Sequence, residues 1–142
     1  MIGRCLRAVT DLHGLDGFTV RIDCDVLQAD GGTRTACLTA GFVALAEALA
    51  GLKTSGRLQK VPLRDTVAAV SVGLVDGKFY LDLCYEEDAR AEVDVNFAMT
   101  GQGMWVEMTT KSRIKVKLGN IPGMGAGDSE MLNIHKITME KE

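Results

Sequence analysis

From Thr33 to Ala50 the chain reads Thr-Arg-Thr-Ala-Cys-Leu-Thr-Ala-Gly-Phe-Val-Ala-Leu-Ala-Glu-Ala-Leu-Ala, with only a few polar side chains, Arg34 and Glu47 among them. Alanine, leucine and glutamate favour helix, and Thr33 is placed to offer an N-cap oxygen to the unpaired amides of the first turn. The stretch predicts a helix of about 18 residues, roughly 27 Å long. A helix this apolar has to be covered. We therefore expect it to be central and largely buried, with the rest of the chain arranged around it.

The flanking segments carry a different period. Phe18, Val20, Ile22, Cys24 and Val26 alternate with Thr19, Arg21, Asp23 and Asp25, the pattern of a half-buried strand over residues 18–27. After a polar connection from Gly51 to Pro62, Thr66–Val75 is β-branched and nearly all apolar, as in a strand covered on both faces. Asp76-Gly77 predicts a two-residue hairpin turn into a strand over Lys78–Tyr85. Val93, Val95, Phe97 and Met99 mark a third strand, which Gly101-Gln102-Gly103 turns into a fourth over Met104–Met108. Arg113–Leu118 could add one more, and Gly119–Gly127 is a glycine-rich connection. The expected class is α+β: a mixed β-sheet packed on the buried central helix, with a βαβ-type core.

Charge and cysteine usage narrow the function. Sixteen Lys and Arg against nineteen Asp and Glu leave a net charge of −3, which exerts no global pull on nucleic acid or an anionic membrane, so a polyanion needs a focused local site. Cys5, Cys24, Cys37 and Cys84 form no Cys-x-x-Cys pair, and His13 and His135 stand near opposite ends, which argues against zinc. Arg4 and Arg7 interrupt the start where a signal peptide needs an apolar run, and no stretch reads as an 18-residue membrane span. The expected compartment is the reducing cytoplasm, with Cys24, Cys37 and Cys84 as small core residues.

Two segments could carry chemistry. Asp30-Gly31-Gly32-Thr33-Arg34-Thr35 joins the first expected strand to the helix through two glycines, then supplies hydroxyls and a guanidinium in the first turn. Such a turn can cradle an anion: the backbone approaches closely, the helix dipole points at the ligand, and Arg34 can fork two phosphate oxygens. A tight turn followed by a capped helix and a surface arginine satisfies the same spacing. The second segment is Glu86-Glu87-Asp88 with Glu92 and Asp94, where a short loop could bring Asp88 beside Asp94. Two carboxylates brought together can bind a divalent cation or share a proton for general-acid work; a solvated acidic loop is the bland alternative. Trp105 and Tyr85 could stack on bases but fit core or interface roles, and Arg4 and Arg7 fall on one face of a short helix, where salt bridging suits them as well as RNA phosphates.

Several strings together resemble the ribonuclease PH family. They are Ile2–Val9, Ile22–Ala36 with its Asp-Gly-Gly-Thr-Arg-Thr-Ala core, Val67–Gly73, Asp82–Asp88 and Ala91–Asn96, and the likeness runs from residue 2 to about 107. The resemblance implies a ribonuclease PH-like fold, related to the split β-α-β folds. The activity it implies is phosphate-dependent 3′-to-5′ exoribonuclease action, trimming tRNA 3′ ends and possibly rRNA, with release of nucleoside diphosphates. It assigns phosphate binding to Gly32, Thr33 and Arg34, and general-acid or metal-assisted catalysis to Asp88 and Asp94. Inorganic phosphate is then a co-substrate, Mg2+ or another divalent cation a helper, a tRNA precursor 3′ end the partner, and a homo-oligomeric, hexameric ring the assembly.

The likeness also divides the chain. Residues 1–107 correspond to the family domain, with 1–51 ending its first subdomain and 66–107 forming the second, while 108–142 diverge. Family members carry a further segment ahead of residue 1, which leads us to expect an exposed sheet edge or helix face. The alternative the same comparison implies is a catalytically inactive ring subunit, acting only through RNA or protein contacts.

Overall fold

The computed structural model describes residues 1–112, 115–117 and 138–140. Helix α1 (Ile2–Ala8) and a 3-10 turn (Leu12–Leu15) lead to helix α2 (Thr33–Thr54), then strands β1 (Val67–Val75) and β2 (Lys78–Leu81), helix α3 (Tyr85–Arg90), and strands β3 (Val93–Thr100) and β4 (Trp105–Ser112). Strands β1 to β4 form one sheet in the order β2-β1-β3-β4, with every pairing antiparallel. β5 (Lys115–Lys117) and β6 (Thr138–Glu140) pair separately. β5 falls inside the expected Arg113–Leu118 strand, whereas the glycine-rich Gly119–Gly127 stretch and His135 lie outside the described residues.

Turn chemistry sets the sheet's register. Asp76 and Gly77 both take positive φ, 50° and 74°, as the hairpin turn between β1 and β2 requires. Ser71 lies opposite Asn96 and Gly73 opposite Asp94, so by the two-residue repeat these four share one face with Thr109. The other face carries Leu74, Val93 and Val95, with Phe97 and Met108 packed against them. Phe97 meets Trp105 edge-on at 5.0 Å, which gives Trp105 a packing role.

Helix α2 lies on the first of these faces. Thr35, Leu38, Gly41, Leu45 and Leu49 are buried at helical spacing, and the Ala69 amide donates to Thr39 Oγ1 at 3.2 Å. Cys5, Leu6 and Val9 from the α1 region, Leu15, and Val67 and Ala98 of the sheet complete this core. On α1, Arg4 turns outward and its Nε donates to Glu107 at 3.1 Å, tying the helix to β4.

The structure corrects several expectations. Residues 18–27 form no strand, because a strand exists only through a ladder and no described segment pairs with them. Helix α2 is buried along one stripe only; its Ala36, Ala40, Val43, Ala44 and Ala48 face outward, so it is amphipathic in side-chain size more than in polarity. At 22 residues with a mean hydropathy of 1.7, α2 is long and apolar enough to cross a membrane by length and composition, contrary to the sequence reading; here it packs on the sheet as a core helix. Thr33 is not the N-cap. Gly32, with φ 70°, holds that position, and Thr33 Oγ1 donates backward to the Asp30 carbonyl at 2.8 Å. Of the cysteines only Cys5 is in the core, since Cys24 sits on the unpaired segment and Cys84 precedes the exposed helix α3. The second strand stops at Leu81, before Asp82 with its positive φ of 51°, and the acidic run is helix α3 instead of a loop. The fourth strand runs on to Ser112, past the change of texture at Met108.

Candidate active site

The site is built where the N-terminus of α2 meets α3 over the polar face of the sheet. Asp30 joins the two: its Oδ1 accepts from the Gly31 amide at 2.8 Å and from the Tyr85 amide at the start of α3. Gly31 is required by close approach, because a Cβ there would lie 1.9 Å from the Leu83 carbonyl oxygen. Gly32 sits over Ser71, and its left-handed backbone turns the chain directly into the helix. No side chain caps α2, and while the Thr35 amide donates to the Gly32 carbonyl, those of Thr33 and Arg34 open the helix. The Thr35 hydroxyl is turned back to the Gly32 carbonyl at 2.6 Å.

Helix α3 is short, and its own first turn holds it. The Cys84 amide donates to Glu87 Oε2 at 3.0 Å, and the Glu87 and Asp88 amides both donate to the Cys84 carbonyl. Glu87 is therefore structural, which leaves Asp88 as the carboxylate of the run that reaches the site. Glu92 continues from α3 into the sheet, its amide donating to the Leu74 carbonyl at 2.8 Å. Asp94 comes from β3, on the sheet face that looks toward α2.

These elements enclose a cleft of about 290 Å³. Gly32, Thr33 and Arg34 form one wall, and Asp88 and Asp94 another. The structure thus brings together the five residues to which the family resemblance assigned roles, while Thr35, Glu86, Glu87 and Glu92 fall outside the cleft lining. It adds Asp30, Asn96, Thr109 and Thr110. The first two could have been found: Asp30 heads the glycine turn, and Asn96 follows Asp94 by one strand repeat. Thr109 and Thr110 come from the last strand of the sheet, where only the β3–β4 register puts them opposite Asn96 and Val95. Thr109 Oγ1 is buried without a hydrogen-bond partner among the described residues, as is Ser71 Oγ beneath Gly32.

The donor set is one that binds phosphate. Amides at the helix start and a guanidinium face two carboxylates, so an anion and a cation or proton can be held side by side. Among the described residues no group of three or more His, Cys, Asp and Glu could hold a metal by itself. Two carboxylates nevertheless fit Mg2+, which usually takes one or two protein carboxylates and completes its shell with water and substrate phosphate. A larger cavity of about 740 Å³, between α1 and residues 18–24, is lined by Leu6, Phe18, Ile22 and Leu45 among others and holds none of the expected site residues.

Away from the cleft, Glu107 is held below the usual carboxylate range, chiefly by its hydrogen bond from Arg4. The Cys5 thiol beside it is pushed up to about 11, first by burial and then by the Glu107 charge. This cluster fastens α1 to β4 and does not line the cleft.

Two family models match the chain. Residues 1–50 match the model for the 3′ exoribonuclease family, domain 1, and residues 65–115 that for domain 2. Ribonuclease PH of Moorella thermoacetica is 58% identical over 108 residues, covering 76% of this chain and 43% of the relative. Ribonuclease PH of Exiguobacterium sibiricum is 56% identical over 108 residues, with the same coverage. The chain spans less than half the length of these curated relatives. Among solved structures, rice (Oryza sativa) Rrp46 is similar at a TM-score of 0.38 and 17% identity, over 61% of this chain and 37% of that one.

Proposed function

The chain belongs to the ribonuclease PH family of 3′ exoribonucleases, and on that premise we propose that its cleft performs phosphate-dependent 3′-to-5′ cleavage of RNA, with tRNA precursor 3′ ends as the substrate. The observation that supports this reading best is the convergence of Gly32, Thr33 and Arg34 with Asp88 and Asp94 on a single cleft from three separate elements. Neither group alone would need the other.

The chemistry follows from the placement. Inorganic phosphate is held by the amides opening α2 and the Arg34 fork, beside Thr33 in the same turn, which neutralise its charge and aim one oxygen at the last phosphodiester. That oxygen forms a new bond to phosphorus, the bond from phosphorus to the 3′-oxygen of the penultimate nucleotide breaks, and a nucleoside diphosphate leaves. The departing 3′-oxygen takes its proton from the Asp88–Asp94 pair. A bound Mg2+ on the same carboxylates would supply charge neutralisation at the phosphates. Asn96 and Thr109 can hydrogen-bond the phosphate or ribose oxygens. In this reading the partners are an RNA 3′ end and further copies of the chain in a ring, and the compartment is the reducing cytoplasm, consistent with four unpaired thiols.

The test is nucleoside diphosphate release from a 3′-extended tRNA, with phosphate and Mg2+ varied separately. Release should require phosphate, and Arg34→Ala and Asp94→Asn should each lower it by about 10²–10³-fold, the range seen when one charge-stabilising group is removed. RNA retention with no release, and no response to either substitution, would favour the inactive-subunit alternative.

A further inference from the structure

The segment ahead of the glycine turn lies along α2 although it forms no ladder. A Cβ on Gly41 would stand 3.6 Å from Ile22 Cγ2, and the Cys24 thiol donates to the Cys37 carbonyl at 3.9 Å. Two residues forward in the segment thus correspond to four residues back on the helix. The lengths agree: two residues of open chain advance about 7 Å, and four helical residues about 6 Å. Ile22 and Cys24 therefore turn the same way, and the register that seats Ile22 on Gly41 seats Cys24 on Cys37. The two thiols interact directly, since the Cys24 thiol is pushed up first by desolvation and next by the charge of Cys37. Both cysteines are free, Cys24 exposed and Cys37 partly so, and both line a groove of about 530 Å³ through which a small oxidant reaches their sulfurs.

We propose that Cys24 and Cys37 are a reversible redox pair, whose disulfide fastens the segment ahead of the glycine turn to α2. The oxidant is a low-molecular-weight disulfide of the glutathione class. The exposed Cys24 thiolate attacks one of its sulfurs, the oxidant's S–S bond breaks, and one small thiol leaves while the other half stays on Cys24. The Cys37 thiolate then attacks the Cys24 sulfur and expels the second small thiol. Two protein thiols are oxidised, one small disulfide is reduced to two thiols, and the two protons lost by the cysteines end on those thiols. Excess small thiol reverses both steps. The bond joins residues thirteen apart, and the loop it closes contains Asp30, Gly31, Gly32, Thr33 and Arg34, so oxidation restrains the whole turn at the start of α2. Cys84 is the rival partner: it is exposed as well, but its contact with the turn is made at Gly31, whereas Cys37 meets Cys24 itself. The pairing is independent of the catalytic reading, since it needs only the two sulfurs.

The test is equilibration of the full chain in a series of glutathione buffers, followed by alkylation, intact mass and peptide mapping. A Cys24–Cys37 peptide pair is expected, with a loss of about 2 Da from the intact chain and full recovery in excess reduced glutathione. The mapping uses the unaltered chain, so it stands whether or not a variant folds. Cys37→Ser should instead trap glutathione on Cys24, and Cys84→Ser should form the bond at the same buffer ratio as the unaltered chain. Amide exchange over residues 25–32 should slow by about tenfold or more on oxidation and return on reduction. Thiols that stay free in the most oxidising buffer, glutathione that remains on Cys24 of the unaltered chain, a Cys24–Cys84 pair in place of the expected one, or exchange over 25–32 indifferent to oxidation would each overturn the proposal.

Discussion

Residues 18–27 and residues 93–99 carry the same alternation of apolar and polar side chains, and the fold treats them oppositely. Val93, Val95 and their neighbours sit in β3 between two hydrogen-bonded strands, with Val95 only 2% exposed. The earlier segment has no ladder, leaves Leu27 95% exposed, and packs Ile22 against the core. Alternation states that a segment can present one apolar face. Whether it becomes a strand depends on a second segment offering backbone partners, which turns at Asp76-Gly77 and Gly101–Gly103 supply for the later region and nothing described supplies for the earlier one.

The largest expected effect tests this contrast at the backbone. Amide hydrogen exchange should be slowed in β3 by the full stability of the fold and left close to unprotected over 18–27, a difference on the order of a thousandfold or more. Equal protection of the two segments would break the comparison. Next comes the glycine turn that leads from the earlier segment into α2. Gly31→Val should cost about 1–3 kcal/mol or more and lower phosphate binding, because a side chain there collides with the backbone of Leu83 and pushes α2 away from α3. Urea denaturation with phosphate titration measures both.

Side-chain truncation sharpens the same contrast. Val95→Ala should destabilise by about 1–3 kcal/mol through lost burial and a residual cavity, while Val26→Ala, at an exposed site, should stay within about 0.5 kcal/mol. The smallest effect concerns α1, the one helix of the early region that is fastened to the sheet. Because Arg4 depresses the Glu107 value in the fold, the contact stabilises above the ordinary glutamate range, near pH 4.3, and is lost as pH falls through the lower folded value. Glu107→Gln should therefore flatten the acid side of the stability profile. At the other end, a Cys5 thiol held up to about 11 contributes stability below its ordinary range that is lost as pH rises toward that value. Thiol labelling at neutral pH should accordingly modify exposed Cys24 and Cys84 well before Cys5.

Much of the site was legible because its residues are local signals. Asp30-Gly31-Gly32-Thr33-Arg34 announces a tight turn into a helix, and Asp88 and Asp94 stand out as carboxylates near a strand. Thr109 was not legible, since an unremarkable threonine in a strand acquires meaning only when the register sets it beside Asn96. Asp30 could be read as the head of the turn, but its bond to an amide 55 residues away could not.

By itself, then, the amino-acid order determined the elements whose causes are local: the apolar helix α2, the hairpin at Asp76-Gly77, the β3–β4 turn and the glycine cradle. Tertiary structure alone decided which alternating segment became a strand, which side of α2 was covered, and that Glu87 would hold a helix while Asp88 faced the cleft. Helix propensity and turn geometry act over a few neighbouring residues, so they are written in the order of the chain. Ladder pairing and burial depend on a second surface arriving from elsewhere.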